Sequence, residues 1–158
     1  MEPPNPIWRK IWDSNYWPKI STFLWLLTHH KILTWDNLLK RGFLGLSFCI
    51  MCREHSETID HLLDYYVLAD TIWNLVEVKC NKTKRVKSDV INTLQSWGED
   101  PYQCKLLNRL RLLITGFVVW NIWKEINQHI FNGKQHNVME VWLGIHTNIH
   151  ETLMIKDW

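Results

Sequence analysis

Two cysteines separated by two residues, Cys49 and Cys52, are followed after eight intervening residues by His61. Two thiolates at that spacing can face one Zn2+ from a knuckle-like turn, and a histidine on the next helix can supply a third ligand. A structural zinc site wants four donors. Other pointed arrangements are few. His146 and His150 stand four apart and share a helix face, a spacing that can bind metal, but no carboxylate in that turn completes a metalloprotease pattern, so surface histidines are expected there. The sequence has no Gly-x-Ser-x-Gly elbow and no glycine-rich phosphate loop. Without a nucleophile, base and orienting group in a recognisable pattern, the reading is a non-enzymatic protein.

Helical periodicity dominates the elements that must position these residues. Pro18 opens a helix whose stripe is Ile20, Phe23, Leu24 and Leu27, and Thr34 can cap a short helix through Leu39 that Gly42 closes. Residues 42–53 lack periodicity and form the irregular loop around Cys49 and Cys52. Ser56 can cap a segment carrying Ile59, Leu62 and Leu63, continued through Leu75 as one helix or two. Residues 80–87 read as a linker, and Ser88 starts a short helix ended by Gly98. Asp100-Pro101 opens a long helix that stops near Gly133, and Asn137 with Glu140 resembles a capping box for the last one. Since no stretch alternates with period two, the fold class is all-α, a compact multi-helix assembly with a knuckle-like loop. Three regions are expected: 1–80 around the loop, 81–100 as basic linker and short helix, and 101–158 as a tryptophan-rich helical part.

Composition sets the outer limits. With 158 residues, 46% apolar and 22% charged, the chain can bury a sizeable core without a disulfide scaffold. A formal charge of +2 excludes nucleic-acid binding by overall charge alone. The basic excess is local, in Lys79, Lys82, Lys84, Arg85 and Lys87, and reads as a solvated linker or as a phosphate-contacting strip. Eleven tryptophans exceed what one small core usually needs. Most should be core; some can lie on a partner-binding face. Four unevenly spaced cysteines and no secretory signal predict a reducing, intracellular compartment, cytoplasm or nucleus. The longest apolar stretch, 112–123, is interrupted by Thr115, Gly116 and Asn121, so no membrane span is expected.

The order Ile11-Trp12, Trp17-Pro18-Lys19-Ile20, Phe23-Leu24-Trp25, His30, Leu33-Thr34, Asp36, Leu38, Arg41-Gly42, Cys49-x2-Cys52 and Glu57-Thr58-x2-His61-Leu62 resembles the zinc-binding region that follows the reverse transcriptase in plant non-LTR retrotransposon polyproteins. The similarity is specific from about residue 8 to residue 75. Trp120-Asn121-Ile122-Trp123-Lys124-Glu125-x-Asn127-x2-Ile130-Phe131 and the closing Ile155-x2-Trp158 resemble segments farther along such polyproteins, although Ile126 stands where the family usually has arginine. The resemblance implies a metal set of Cys49, Cys52, His61 and a cysteine five residues beyond the histidine, where this chain has Tyr66. Asp64, His55 or Cys80 can be imagined as the replacement. The depleted set implies a chain with no obligate cofactor, zinc being the ion it can still hold.

Two functional expectations follow. The first is an interaction module derived from a retrotransposon reverse transcriptase tail, binding a protein partner or itself, with a selfish or regulatory role open to it, through Trp8, Trp12, Trp120, Trp123, Phe131 and Trp142. The alternative is a nucleic-acid-binding zinc module that uses Lys82, Lys84, Arg85 and Lys87.

Overall fold

A computed structural model describes residues 6–14, 16–82, 85, 87, 89–98 and 105–155. Among them there are only helices and loops. The order is α1 (Pro6–Asp13), α2 (Pro18–Thr28), α3 (Trp35–Lys40), a wide π-helical turn (His61–Tyr65), α4 (Val67–Lys79), α5 (Val90–Trp97), α6 (Lys105–Asn132) and α7 (Val138–Ile155). None of these helices is long and apolar enough to cross a membrane.

Helix α6 is the axis. Its middle is buried on every side, with Thr115 to Val119 all inaccessible, which marks a central helix rather than an amphipathic surface one. α1, α2, the π turn, α4, α5 and α7 all pack on it. One apolar cluster consequently runs from Ile7 and Ile11 of α1 through Leu62, Leu63 and Trp73 to Val141 and Ile145 of α7. Each such aliphatic side chain removed from water stabilises the fold by about 1.5–3 kcal/mol. Gly116 lets the chain come close here: a Cβ at this position would collide with the Tyr16 ring, whose hydroxyl donates to the Leu112 carbonyl of the same helix.

Local signals explain most helix ends. Pro18 begins α2, Gly42 leaves α3 at φ +89°, and Gly133 leaves α6 at φ +62°, values that favour glycine. Asn137 and Glu140 form the reciprocal capping box, Glu140 N–H donating to Asn137 Oδ1 at 3.0 Å and Asn137 N–H to Glu140 Oε2 at 2.7 Å. Three caps differ from expectation. Thr34 precedes α3 without capping it through its side chain, and Glu57 accepts from Trp35 N–H in its place. The Thr58 hydroxyl, rather than Ser56, accepts from His61 N–H (3.1 Å), and Asp89, rather than Ser88, caps α5 by accepting from Asn92 N–H. α1 lies outside the expected elements, although Pro6 starts it and Ile7 and Ile11 share its buried face. The Asp100-Pro101 start lies outside the described residues.

The tryptophans divide by depth. Trp73 and Trp97 are buried, seven are half-buried, five of these against the core, and Trp12 is 59% exposed; Trp158 lies outside the described residues. Most therefore contribute to packing, as composition suggested.

Candidate metal centre

The knuckle is built by backbone hydrogen bonds. Cys49 N–H donates to the His55 carbonyl at 2.7 Å, and Arg53 N–H returns to the Cys49 carbonyl at 2.7 Å, with Arg53 at φ +59°. The loop folds back so that both sulfurs face the start of the π turn. There His61 Nε2 lies 3.4 Å from Cys52 Sγ. Its position is set by the Thr58 cap and by burial of the adjoining Leu62 and Leu63.

Cys49 Sγ, Cys52 Sγ and a His61 ring nitrogen all lie within 4.8 Å of one another. A tetrahedral zinc with bonds of about 2.3 Å to sulfur and about 2.0 Å to nitrogen separates its ligand atoms by roughly 3.5–3.8 Å, so the three donors fit that ion. The electrostatics prepare the same set. Burial pushes the Cys49 thiol up. Burial also opposes the Cys52 thiolate, but the Glu54 backbone N–H and hydrogen bonds from the His55 side chain and backbone outweigh it and bring that thiol to about 7. Burial, reinforced by nearby His55, holds His61 below its ordinary value, so its imidazole is neutral, the form that binds metal.

The structure sorts the fourth donors. Asp64 is fully buried with Oδ1 2.7 Å from Arg85 Nε and Oδ2 without a hydrogen-bond partner, and it lies outside the cluster of donors around the two sulfurs. Cys80 caps the far end of α4, about 20 Å along a 13-residue helix from Tyr66, among the charges of Arg111 and Lys82. Both are therefore set aside. His55 Nδ1 comes within 3.8 Å of Cys52 Sγ, and its ring stacks on His61 at 5.2 Å between centroids, although it lies outside the three-atom cluster. The Tyr66 ring meets His61 edge-on at 6.2 Å, and its phenol is raised by burial first and then by Cys49, Cys52 and Glu125, so it faces the sulfurs in its protonated form. His55 is the nitrogen donor nearest to completing the set.

Residues 1–73 match the family model described as zinc-binding in reverse transcriptase. The match covers just under half of the chain. The match ends inside α4 and includes Cys49, Cys52 and His61. No curated protein and no solved structure matches the chain. Zinc is thus the ion that both the family and the geometry indicate, and when bound it would cross-link loop and helix as a structural ion.

The family-matched segment also forms one wall of an apolar groove of about 470 Å³. On the knuckle loop, Phe48 and Ile50 flank Cys49 and line this groove, while Trp123, Ile126, Ile130 and Phe131 of α6 form the opposite wall. Glu57 is its one charged lining residue, and its carboxylate caps α3 by accepting from Trp35 N–H at 2.9 Å. The Glu57 carboxyl is raised, chiefly by burial.

The six aromatic residues expected on one face are distributed over several. Trp123 and the 76%-exposed Phe131 share the groove, whereas Trp120 and Trp123 both pack on Phe23. Trp8 stacks on His29 at 4.2 Å, Trp12 is exposed on α1, and Trp142 meets His146 on α7. Their wide sequence separation gave no sign of this division.

The basic strip is likewise divided, with Lys79 and Lys87 exposed and Arg85 turned inward. Arg85 is buried and bridges Asp64, Asp70 (3.0 Å) and Glu77 (3.2 Å). Lys87 pairs with Asp70 at 2.8 Å, and Lys82 lies over the Trp97 ring at 5.5 Å. Lys84 lies outside the described residues.

Proposed function

We propose that the chain is a non-enzymatic, intracellular interaction module derived from the tail of a plant-type retrotransposon reverse transcriptase, and that it receives an apolar helix of a protein partner beside its zinc knuckle. The observation that carries the reading is the groove between the knuckle loop and α6. Its rim holds Leu33, Leu46, Phe48, Ile50 and Phe131, all exposed, at a size and apolarity suited to helix-in-groove recognition. Because Phe48 and Ile50 alternate with Cys49, zinc binding would fix one wall of the groove. Nucleic-acid binding takes second place, since Arg85, Lys87 and Lys82 already have partners within the chain.

Selection of helical peptides on the zinc-loaded protein tests this. Binders are expected to lose affinity at least tenfold on Phe131→Glu or Leu46→Glu, and to be indifferent to Lys87→Met. Peptides that bind the groove variants equally well would overturn the reading, as would a salt-dependent RNA affinity that falls on Lys87→Met.

A further inference from the structure

Helix α7 has two faces. Val141, Ile145 and Thr152 are buried against the rest of the molecule. The opposite side carries Met139, Leu143, His146, His150 and Leu153, at successive spacings of four, three, four and three residues. All five are exposed, Met139 by 64% and Leu143 by 66%. That 4-3-4-3 order is the seam of a two-helix coiled coil, in which the side chains fall on one line facing a partner helix. Nothing in the described part of the chain covers it.

The middle of this seam holds imidazoles instead of aliphatic groups. His146 and His150 lie one helical turn apart, and Trp142 meets the His146 ring edge-on at 4.9 Å between centroids, restricting its rotamer. Neither ring has a hydrogen-bond partner among the described residues. Two histidines at this spacing on one helix face can bind one metal ion together, and imidazole suits zinc.

An isologous pairing of two α7 helices turns two ligands into four. In an antiparallel seam about a twofold axis level with residue 148, His146 of each chain faces His150 of the other, and Leu143 faces Leu153 in the layers on both sides. Four imidazoles then surround the axis between two leucine layers, the donor number that a tetrahedral ion needs. The apolar contact is too small to hold the pair by itself: five side chains from a helix about 27 Å long compare with the roughly 20–30 residues a side of a standard interface. Metal coordination must supply the remainder.

We propose that His146 and His150 form a zinc site completed by a second copy of this chain, so that one zinc ion clamps two α7 helices into an antiparallel dimer. The site shares no residue with the knuckle or the groove, and stands whether or not either functions as described above.

Solution mass and zinc content of the full chain provide the test. With zinc in slight excess, the species is expected to double from 19.1 kDa and to return to it on addition of a chelator. His146→Gln/His150→Gln should stay monomeric at every zinc concentration and bind half an ion fewer per chain than the parent, whatever the knuckle binds. Leu143→Glu, which keeps both histidines, should also lose the dimer. Both changes are on an exposed face and should leave the helical circular dichroism unchanged. A parent that remains monomeric in zinc, a dimer that survives the chelator, or a double-histidine variant that dimerises like the parent would overturn the proposal.

Discussion

The knuckle and the Arg85 cluster gather residues of similar chemical promise and use them in opposite ways. Cys49, Cys52 and His61 converge from nearby positions and leave their donor atoms facing one another with no cation of the chain between them. Arg85 sits among Asp64, Asp70 and Glu77 and supplies that cation itself. The first arrangement is open to a cation from outside, whereas the second is closed around its own. Residue type alone therefore does not distinguish a site from a strut; what matters is whether the partners are already present.

Removing the internal cation should have the largest effect. Arg85→Ala leaves Asp64 and Glu77 buried with no counter-charge, and is expected to cost about 3–5 kcal/mol in urea unfolding. A loss below about 1 kcal/mol would show that the cluster is not closed. At the knuckle the corresponding operation is to add the cation. Zinc at 100 times its dissociation constant should stabilise the parent by about 2.7 kcal/mol and leave Cys49→Ser unchanged, which thermal unfolding with and without a chelator would read. Thr58→Ala removes the hydroxyl that orients His61 and should cost about 1 kcal/mol and weaken zinc uptake. If stability falls while zinc affinity does not, the cap positions the turn but not the ligand.

The smallest effect belongs to Lys87→Met, about 0.2–1 kcal/mol, because the Lys87–Asp70 pair is partly exposed. Its pH dependence has a definite sign. Burial opposes the Asp70 carboxylate, but hydrogen bonds from Lys87 and Arg85 outweigh it and hold its carboxyl below the ordinary 3.8. The stability this group contributes is present at neutral pH and is lost as pH falls from about 3.8 through the lower folded value. The difference between parent and Lys87→Met should accordingly close in acid. A difference that widens there would assign the effect to another group.

The sequence discloses what depends on near neighbours. The α2 start at Pro18, the exit of α3 at Gly42, the Asn137–Glu140 box and the Cys49/Cys52/His61 spacing are all set within a few turns of chain, and all are legible. What escaped reading depends on distance in sequence. Lys82 to Lys87 looked like one cationic strip because the carboxylates that engage Arg85 lie 8 to 21 residues away in the π turn and α4. The groove needed α6 brought against a loop some eighty residues earlier. α1 is a different case: Ile7, Trp8 and Ile11 pack on the core at helical spacing, so its stripe was legible, but eight residues give it only about two turns.

Four aromatic contacts join the family-matched segment to the remainder of the chain: Tyr16 on Phe117, Phe23 on Trp120 and on Trp123, and Trp73 on Trp97. In each, one ring belongs to residues 1–73 and its neighbour lies beyond them. The segment is therefore not portable. Grafted onto another protein, it would keep its cysteines but lose the rings on which α2 and α4 rest, and any host that accepted it would have to offer an equivalent of α6.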